Sequence, residues 1–181
     1  MCLYKKFIPS FYKKTIFDID YDFLKKQGIT TLFFDLDNTI IPNNIPYIDE
    51  KSYLFLKSLL SDFKILILSN NSDERVKKAS KDFLFESLCH KPLIKKTKKA
   101  LKRVNSTPSC TASIGDQLFT DIFGGCRAKL KYRILVSPIR ISSDATRTTL
   151  GRKIASHYMR IIKKKQIDIY KERLEQYAQT L

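Results

Sequence analysis

Short apolar runs that alternate with stretches of helical periodicity are the feature of this sequence that most limits its fold. Segments 31–34 and 64–68 are apolar at nearly every position, as expected for strands that are buried on both faces. Between such runs, apolar residues recur at three- and four-residue spacing, which indicates amphipathic helices. This alternation is typical of a parallel sheet that is covered by helices on both sides. We therefore predict an α/β fold, arranged as a three-layer α/β/α sandwich.

The same patterns give positions for the individual elements. Strands are predicted at 31–34, 64–68, 85–88, 111–114 and 133–136, and helices at 72–83, 93–104, 120–128 and 152–165. For the first of these helices, Asn71 is the expected N-cap and Glu74 its capping-box partner. The chain is accordingly divided into a basic N-terminal segment (1–28), a core (29–140) and a basic amphipathic C-terminal segment (141–181).

Four of the predicted strands end at or near a chemically reactive polar residue. These residues are Asp35, Ser69, Lys91 and Asp116. Ligands of open parallel sheets bind at the edge formed by the carboxyl ends of the strands. We therefore expect these four side chains to share one site.

The acids near this edge suit phosphoryl transfer. Asp35 and Asp37 offer two carboxylates, of which one can attack phosphorus while the other handles protons on the leaving oxygen. Together with Asp116 and Asp121, they can also hold a hard cation that prefers oxygen ligands. Taken singly, each of these short segments is also typical of ordinary turns and helix caps, so the inference depends on their joint occurrence.

In combination, four segments resemble the motifs of haloacid-dehalogenase superfamily phosphatases. They are Asp-Leu-Asp-Asn-Thr at 35–39, Ser-Asn-Asn at 69–71, Lys-Pro at 91–92 and Ile-Gly-Asp-Gln-Leu-Phe-Thr-Asp at 114–121. The set is most similar to the YqeG-like branch (class IIIA), which includes phosphatidylglycerophosphate phosphatases; segments 6–9 and 16–19 resemble the start of that family. The resemblance extends over residues 3–165 and implies a Rossmann-like fold of the haloacid-dehalogenase type without a cap domain.

The resemblance also implies catalytic roles. Asp35 would form an aspartyl-phosphate, and Asp37 would act first as general acid and then as general base. Mg²⁺ would be held by Asp35, by the backbone carbonyl of Asp37 and by Asp116. Thr39 and Asp121 would support these groups without binding the metal directly.

Three further residues are candidates for binding the phosphoryl group. Ser69 and Asn70 can hold phosphate oxygens, and Lys91 can neutralise charge on both the nucleophile and the transferring group.

One departure from the family pattern follows the last motif: Cys126 stands where the family usually has Asn, and Lys129 where it usually has Gly. The turn at that point is therefore open to question, but the catalytic set is not.

The spacing of the motifs bears on the size of the substrate. One helix with a short flap fills the interval from Asp35 to Ser69, and a helix with a strand fills the interval from Ser69 to Lys91. Neither interval leaves room for a cap domain, which normally closes over a small substrate and excludes water. We therefore expect an open site that suits a large substrate, such as a lipid head group or a polymer end, or that a partner subunit closes.

The net charge and the ends of the chain point to an anionic partner. The formal charge is +16, which favours phosphorylated substrates, acidic lipid or nucleic acid. Segment 152–165 is basic and amphipathic, as is the stretch 3–14, so each can lie on a membrane surface or pack its apolar face on the domain. Neither a signal peptide nor an apolar run of membrane-spanning length is present, and the cysteine spacing suggests no metal or redox motif. We expect a cytoplasmic protein that associates peripherally with the inner face of the membrane.

Three functions remain open from the sequence. The first is an Mg²⁺-dependent phosphomonoesterase that dephosphorylates phosphatidylglycerophosphate at a membrane surface. The second is a phosphatase that acts on nucleic-acid ends or on small metabolites. The third is a non-enzymatic anion-binding protein on the same fold.

Overall fold

The computed structural model describes residues 2–139 and 146–180, and a six-stranded parallel sheet lies at its centre. The strands follow the order β1-β6-β5-β2-β3-β4 across the sheet. They are β1 (Phe11–Lys13), β2 (Thr31–Phe34), β3 (Lys64–Leu68), β4 (Leu84–Glu86), β5 (Thr111–Gly115) and β6 (Tyr132–Val136). All neighbouring strands pair in parallel, as the alternation of strands and helices predicts.

Helices connect the strands and follow the last one. They are α1 (Tyr21–Lys26), α2 (Glu50–Ser58), α3 (Asp73–Ser80), α4 (Lys95–Arg103), α5 (Gly124–Arg127), α6 (Thr146–Lys165), α7 (Ile167–Arg173) and α8 (Glu175–Ala178). Single 3₁₀ turns lie at Leu3–Phe7, Ile16–Asp18, Leu59–Ser61 and Pro108–Cys110. The connection from β2 to β3 holds only α2 with the turn after it, and that from β3 to β4 holds only α3. Both connections are described in full and contain no inserted cap domain.

Alternate residues of the strands pack into separate cores. Leu32 and Phe34 of β2 lie in a core shared with Leu56 of α2 and Val76 of α3, whereas Phe33 lies in a core on the opposite face with Leu101 of α4. Successive side chains of a strand point to opposite faces of the sheet, so both faces of this one are covered. Burying one such side chain stabilises the fold by about 2 kcal/mol. The predicted three-layer α/β/α arrangement is confirmed.

The first strand was not predicted. Phe11, Tyr12 and Lys13 pair with Ile134, Leu135 and Val136, so the basic N-terminal segment supplies one edge of the sheet. The strand has only three residues and each is half-buried, which leaves little of the apolar signal that marks the central strands. The division of the chain at residues 28 and 140 stays a prediction.

Two helix predictions differ from the structure in detail. The N-cap of α3 is Ser72 rather than Asn71, because the Ser72 hydroxyl accepts a hydrogen bond from the Arg75 amide at 3.4 Å. The helix predicted at 120–128 is a π-helical turn, Leu118–Phe123, followed by α5. The wider turn allows the Asp121 carboxylate to accept a hydrogen bond from the Gln117 amide at 3.1 Å. Such turns occur frequently at functional sites.

The two basic amphipathic segments pack against each other. The Phe7 ring stacks on Tyr158 of α6 and on Phe123, with centroid distances of 4.0 Å and 4.6 Å. Ala155 and Met159 of α6 are buried in the same cluster. The apolar face of α6 is therefore used within the domain, which is the second of the two alternatives that its sequence allowed. No helix in the described part of the chain is long and apolar enough to cross a membrane.

The turn after α5 keeps its shape despite the departure from the family pattern. Lys129 has φ +61°, which is the left-handed conformation that glycine adopts most easily. Its amide donates a hydrogen bond to the carbonyl of Cys126 at 3.0 Å. A non-glycine residue here costs about 1 kcal/mol, so the substitution strains this turn without removing it.

Candidate active site

The predicted site residues meet at the carboxyl edge of the sheet. Asp35 follows β2 and Asp116 follows β5, and these two strands are neighbours. The Asp35 amide donates a hydrogen bond to the carbonyl of Ile114 at 2.9 Å, which aligns the two strand ends. Ser69 follows β3 on the other side of β2, and Lys91 lies in the loop after β4. These side chains lie close together because the strands that precede them are parallel and end at the same edge of the sheet.

Lys91 forms two short ion pairs within the site. Its Nζ lies 2.6 Å from Oδ1 of Asp35 and 2.6 Å from Oδ1 of Asp121. The three side chains are 9%, 11% and 4% exposed, respectively. Charge-assisted hydrogen bonds in such a shielded place are stronger than those at the surface. Lys91 thus fixes the nucleophile candidate and the last acid of the set relative to each other.

Three carboxylates form a candidate metal centre. Oxygens of Asp35, Asp116 and Asp121 lie within 4.8 Å of one another. The Thr39 hydroxyl lies 3.4 Å from an oxygen of Asp35 and 3.4 Å from one of Asp116. Among the described residues, three carboxylates face the one ammonium group of Lys91, so the donor set there is hard, oxygen-only and in excess of negative charge by two when all three are ionised. These properties fit Mg²⁺. Asp121 was expected only to support the metal ligands, but its carboxylate lies within 4.8 Å of those of Asp35 and Asp116 and could itself bind a metal.

Crowding of these charges perturbs their protonation. Burial raises the pKa of Asp35 to about 7, although the Lys91 ammonium opposes the shift. Burial, followed by the charges of Asp35 and Asp121, raises the pKa of Asp116 well above its usual range. Burial alone would lower the pKa of Lys91, but Asp121 and Asp35 outweigh it and raise the pKa. The lysine is therefore a fixed cation, while the acids are short of positive charge.

The carboxylate of Asp37 points to a different set of partners. Its Oδ1 accepts a hydrogen bond from Nη2 of Arg75 at 2.9 Å. Its Oδ2 lies 3.5 Å from the Ser69 hydroxyl and 3.4 Å from the Asn71 amide nitrogen. Arg75 was missed in the sequence, where it is one of 34 basic residues. Its place in the first turn of α3, just after the second motif, is the signal that could have identified it.

Asn70 contacts the backbone of Lys91. Its Oδ1 accepts a hydrogen bond from the Lys91 amide at 2.6 Å, and its Nδ2 donates to the Lys91 carbonyl at 3.2 Å. Ser69 is buried, and its hydroxyl accepts a hydrogen bond from the Asn71 amide at 3.1 Å. In this structure Asn70 therefore positions Lys91, and its contact with phosphate stays a prediction.

A contact from the C-terminal segment also reaches the site. The hydroxyl of Tyr177 in α8 donates a hydrogen bond to the backbone carbonyl of Asp116 at 2.7 Å. Burial, and to a lesser extent Asp116, raises the pKa of Tyr177 well above its usual value, so the hydroxyl keeps its proton. Nothing in the local sequence indicates this contact, because 61 positions separate the two residues.

The surroundings of the site are open and partly apolar. A groove of about 970 Å³, here called the side groove, borders Thr39 and runs between the loop after β6 and the C-terminal segment. Exposed apolar side chains follow the ends of several strands; these rim residues are Ile45, Tyr47, Leu88, Leu93 and Ile139. The cavity that Asp35, Lys91 and Asp121 themselves line is only about 20 Å³, so the room lies beside these residues rather than among them.

A second buried charge lies away from this edge. The Glu86 side chain, at the end of β4, is 4% exposed and is met by three cations of α4. Its oxygens lie 3.5 Å from Lys96, 3.2 Å from Lys99 and 3.5 Å from Arg103. Part of the basic face of α4 thus balances a structural carboxylate.

Comparisons with known proteins identify several that are similar to this chain. The chain is 32% identical over 171 residues to "Probable phosphatase YqeG" from Bacillus subtilis (strain 168), which covers 90% of this chain and 95% of that protein. An uncharacterized protein from Listeria monocytogenes serotype 4b matches with a TM-score of 0.51 and 18% identity, over 65% of this chain and 84% of that chain. The 3-deoxy-D-manno-octulosonate 8-phosphate phosphatase from Moraxella catarrhalis has a TM-score of 0.40 and 17% identity, over 82% and 99% of the two chains.

These matches differ in what they support. Of the two solved structures, only the first has a TM-score that bears on the fold, and at 18% identity it bears on nothing else. No family model matches the chain. The match to YqeG, by contrast, extends over nearly the whole of both proteins. The chain therefore belongs to the YqeG-like family of phosphatases in the haloacid-dehalogenase superfamily.

Proposed function

We propose that this protein is an Mg²⁺-dependent phosphomonoesterase that acts through an aspartyl-phosphate on Asp35. The observation that carries the proposal is the shielded cluster in which Lys91 joins Asp35 to Asp121, with Asp116 alongside. In a member of a phosphatase family, such a cluster supplies the nucleophile, a fixed cation and oxygen ligands for a metal. Asp35, the backbone carbonyl of Asp37 and Asp116 would hold Mg²⁺, with Asp121 and Thr39 beside them. When bound, Mg²⁺ supplies positive charge that stabilises the transferring phosphoryl group.

The first half of the reaction forms a covalent bond to Asp35. A carboxylate oxygen of Asp35 attacks phosphorus, the bond from phosphorus to the ester oxygen breaks, and Asp37 gives its proton to that leaving oxygen. Lys91 balances the negative charge on Asp35 and on the phosphoryl oxygens. Ser69 lies beside Asp37 and can bind one of those oxygens. The products are an alcohol and the aspartyl-phosphate.

The second half releases phosphate. Asp37, now ionised, accepts a proton from a water molecule whose oxygen attacks phosphorus. The bond from phosphorus to the Asp35 oxygen breaks, which returns Asp35 to a carboxylate and yields inorganic phosphate. Nη2 of Arg75 lies 2.9 Å from Oδ1 of Asp37 and would hold this carboxylate in place in both steps. The proton that Asp37 gave in the first half is replaced in the second.

The substrate proposed is phosphatidylglycerophosphate, presented at a membrane surface. The open site, the side groove and the exposed rim residues support it, because the uncleaved part of a lipid head group needs room and apolar contact. The charge of +16 favours an anionic surface. Since the apolar face of α6 is buried within the domain, the proposed membrane contact is made by the rim rather than by that helix.

The decisive experiment measures inorganic phosphate released from phosphatidylglycerophosphate in vesicles. Wild type, Asp35→Asn and Asp82→Asn are compared with Mg²⁺ and then with chelator; Asp82 is an exposed acid that pairs with Lys57. Release that requires Mg²⁺ and Asp35, but not Asp82, is expected. Turnover only of a small phosphate ester, or only of a phosphorylated oligonucleotide end, would overturn the lipid substrate and keep the phosphatase. If no phosphate were released from any of the three substrates, the proposal that the protein is an enzyme would be overturned.

Membrane contact is tested separately by sedimentation with anionic vesicles. Tyr47→Ser and Leu93→Ser remove exposed apolar groups from the rim, whereas Leu60→Ser removes one from the turn before β3, at the opposite edge of the sheet. We expect the two rim variants to bind vesicles several-fold more weakly and the control to bind like wild type. Equal binding by all three variants would exclude the rim as the contact surface.

A further inference from the structure

The hydroxyl group of Tyr177 ties the C-terminal segment to the backbone of the candidate metal centre. The residue is 2% exposed and lies in a cluster with Leu174, Tyr170 and Ile162. Its ring packs edge-on against Tyr12 of β1 at a centroid distance of 6.4 Å. These apolar contacts involve the ring of Tyr177 and leave its hydroxyl group available for a hydrogen bond. It donates to the carbonyl of Asp116 at 2.7 Å.

The carbonyl that it reaches lies at the point where the sheet ladder stops. The pairing of β5 with β6 ends at Gly115 and Leu135, one residue before Asp116. A buried carbonyl beyond the ladder needs another donor, because an unpaired one costs about 1–3 kcal/mol. Tyr177 provides that donor from a position 61 residues further along the chain.

The peptide group that joins Asp116 to Gln117 is held at both ends. Its carbonyl accepts from Tyr177 at 2.7 Å, and its N–H donates to Oδ2 of Asp121 at 3.1 Å. On the preceding side, a Cβ at Gly115 would lie only 2.3 Å from the Asp121 side chain, so the backbone there has little room to shift. Rotation of this one peptide plane would move Asp116 and Asp121 together, since each is attached to it by a bond or a hydrogen bond.

We infer that Tyr177 is a positioning residue for the metal centre, because it fixes the peptide plane that sets the distance between the carboxylates of Asp116 and Asp121. The inference rests on the proposed Mg²⁺ site. Residues that orient metal ligands through hydrogen bonds typically change metal affinity 10- to 100-fold when removed. The hydroxyl would act through the backbone of Asp116, which it contacts.

A matched pair of variants separates positioning from packing. Tyr177→Phe removes the hydroxyl that reaches Asp116, and Tyr170→Phe removes a hydroxyl from the same cluster at a residue that is 8% exposed. Both variants keep an aromatic ring in the same core. Leu174→Ala is a third variant, which loosens the cluster and leaves the hydroxyl of Tyr177 in place.

The readout is Mg²⁺ affinity by titration calorimetry, with thermal unfolding in chelator measured alongside. We expect Tyr177→Phe to bind Mg²⁺ about 10-fold more weakly and to regain most of its kcat at saturating Mg²⁺. Tyr170→Phe and Leu174→Ala should bind Mg²⁺ within about 2-fold of wild type, although Leu174→Ala unfolds at a lower temperature.

Three outcomes would overturn the inference, and they can be told apart. If wild type and Tyr177→Phe bind Mg²⁺ equally, the hydroxyl is only a structural tether and the inference fails while the metal site stands. If wild-type protein binds no Mg²⁺, the proposed metal site fails and the inference falls with it. An equal loss of affinity in Tyr177→Phe and Leu174→Ala would also overturn the inference, because general loosening of the segment would then explain the effect.

Discussion

Two buried clusters of charge lie at the two ends of the loop that follows β4, and they have opposite compositions. At the carboxyl edge of the sheet, here called the active edge, Lys91 is the one cation among the described residues that faces Asp35, Asp116 and Asp121, and these four residues form the active cluster. Beside α4, the single acid Glu86 faces Lys96, Lys99 and Arg103, whose side chains are 34%, 64% and 45% exposed. In the first cluster the excess negative charge is carried by buried carboxylates. In the second the excess positive charge is carried by side chains that are partly exposed to water.

This difference distinguishes the candidate site from a structural cluster. Partly exposed cations can share a buried carboxylate at little cost, because water solvates what the carboxylate does not neutralise. Three shielded acids with one lysine lack this solvation, and burial and mutual repulsion therefore raise the pKa of Asp35 and of Asp116. The active edge is therefore electrostatically incomplete without a cation, whereas the Glu86 cluster is complete as it stands.

The largest effect should come from removing the one cation of the active cluster. Lys91→Met leaves the acids without any positive partner, so we expect kcat/KM to fall about 10²- to 10³-fold. The free energy of unfolding should fall by about 3 kcal/mol in the absence of metal. Phosphate release and urea unfolding measure the two effects. Activity within about 10-fold of wild type would mean that Lys91 does not stabilise the transferring group.

Removing the one acid of the other cluster should affect stability and spare activity. Glu86→Gln keeps the size of the side chain but replaces charged hydrogen bonds with neutral ones. We expect a loss of about 1–3 kcal/mol in the free energy of unfolding. The kcat/KM should stay within about 3-fold of wild type. A large loss of activity in a variant that remains folded would contradict the separation of the two clusters.

Removing one acid from the active cluster should stabilise the metal-free protein. Asp116→Asn relieves repulsion with Asp35 and Asp121, and we expect a gain of about 1 kcal/mol in chelator. Mg²⁺ at 100 times its Kd should stabilise wild type by about 2.7 kcal/mol and stabilise the variant much less. Thermal unfolding with and without Mg²⁺ tests both statements. A variant that is less stable than wild type in chelator would show that the acids are not in excess.

The smallest effect is expected for an exposed cation of the structural cluster. Lys99 is 64% exposed and is one of three cations that serve Glu86. Lys99→Ala should therefore change the free energy of unfolding by less than about 0.5 kcal/mol. Urea unfolding beside Lys91→Met makes the contrast direct. A loss above 2 kcal/mol would mean that Glu86 depends on this lysine alone.

The sequence predicts the centre of this fold better than its edges. The bounds of β2 and β3 agree with the structure because each is apolar at every position after its first residue, and those apolar residues are buried. Asp35 and Asp116 could be placed together because the ends of parallel strands meet at one edge. In contrast, β1 is short and half-buried, so the pattern of Phe11–Lys13 does not separate it from a basic surface segment.

The missed residues of the site have a common cause. Arg75 reaches Asp37 from α3, and Tyr177 reaches Asp116 from α8, so each contact depends on how a helix packs on the sheet. Side-chain spacing within a helix predicts which residues share its face, but not which distant backbone group that face meets. Asn70 illustrates the same limit, since its amide binds the Lys91 backbone across 21 positions of the chain.

The contact made by Tyr177 also sets an order of events during synthesis. Every acid of the active cluster has left the ribosome before Tyr177 is translated, because Asp121 is the last of them in the chain. A nascent or truncated polypeptide that ends after β6 would carry all four motifs and yet lack the hydroxyl that steadies Asp116. By the inference above, such a fragment binds Mg²⁺ poorly. Mg²⁺ binding at full affinity would then require that α8 has been translated and has packed against the sheet.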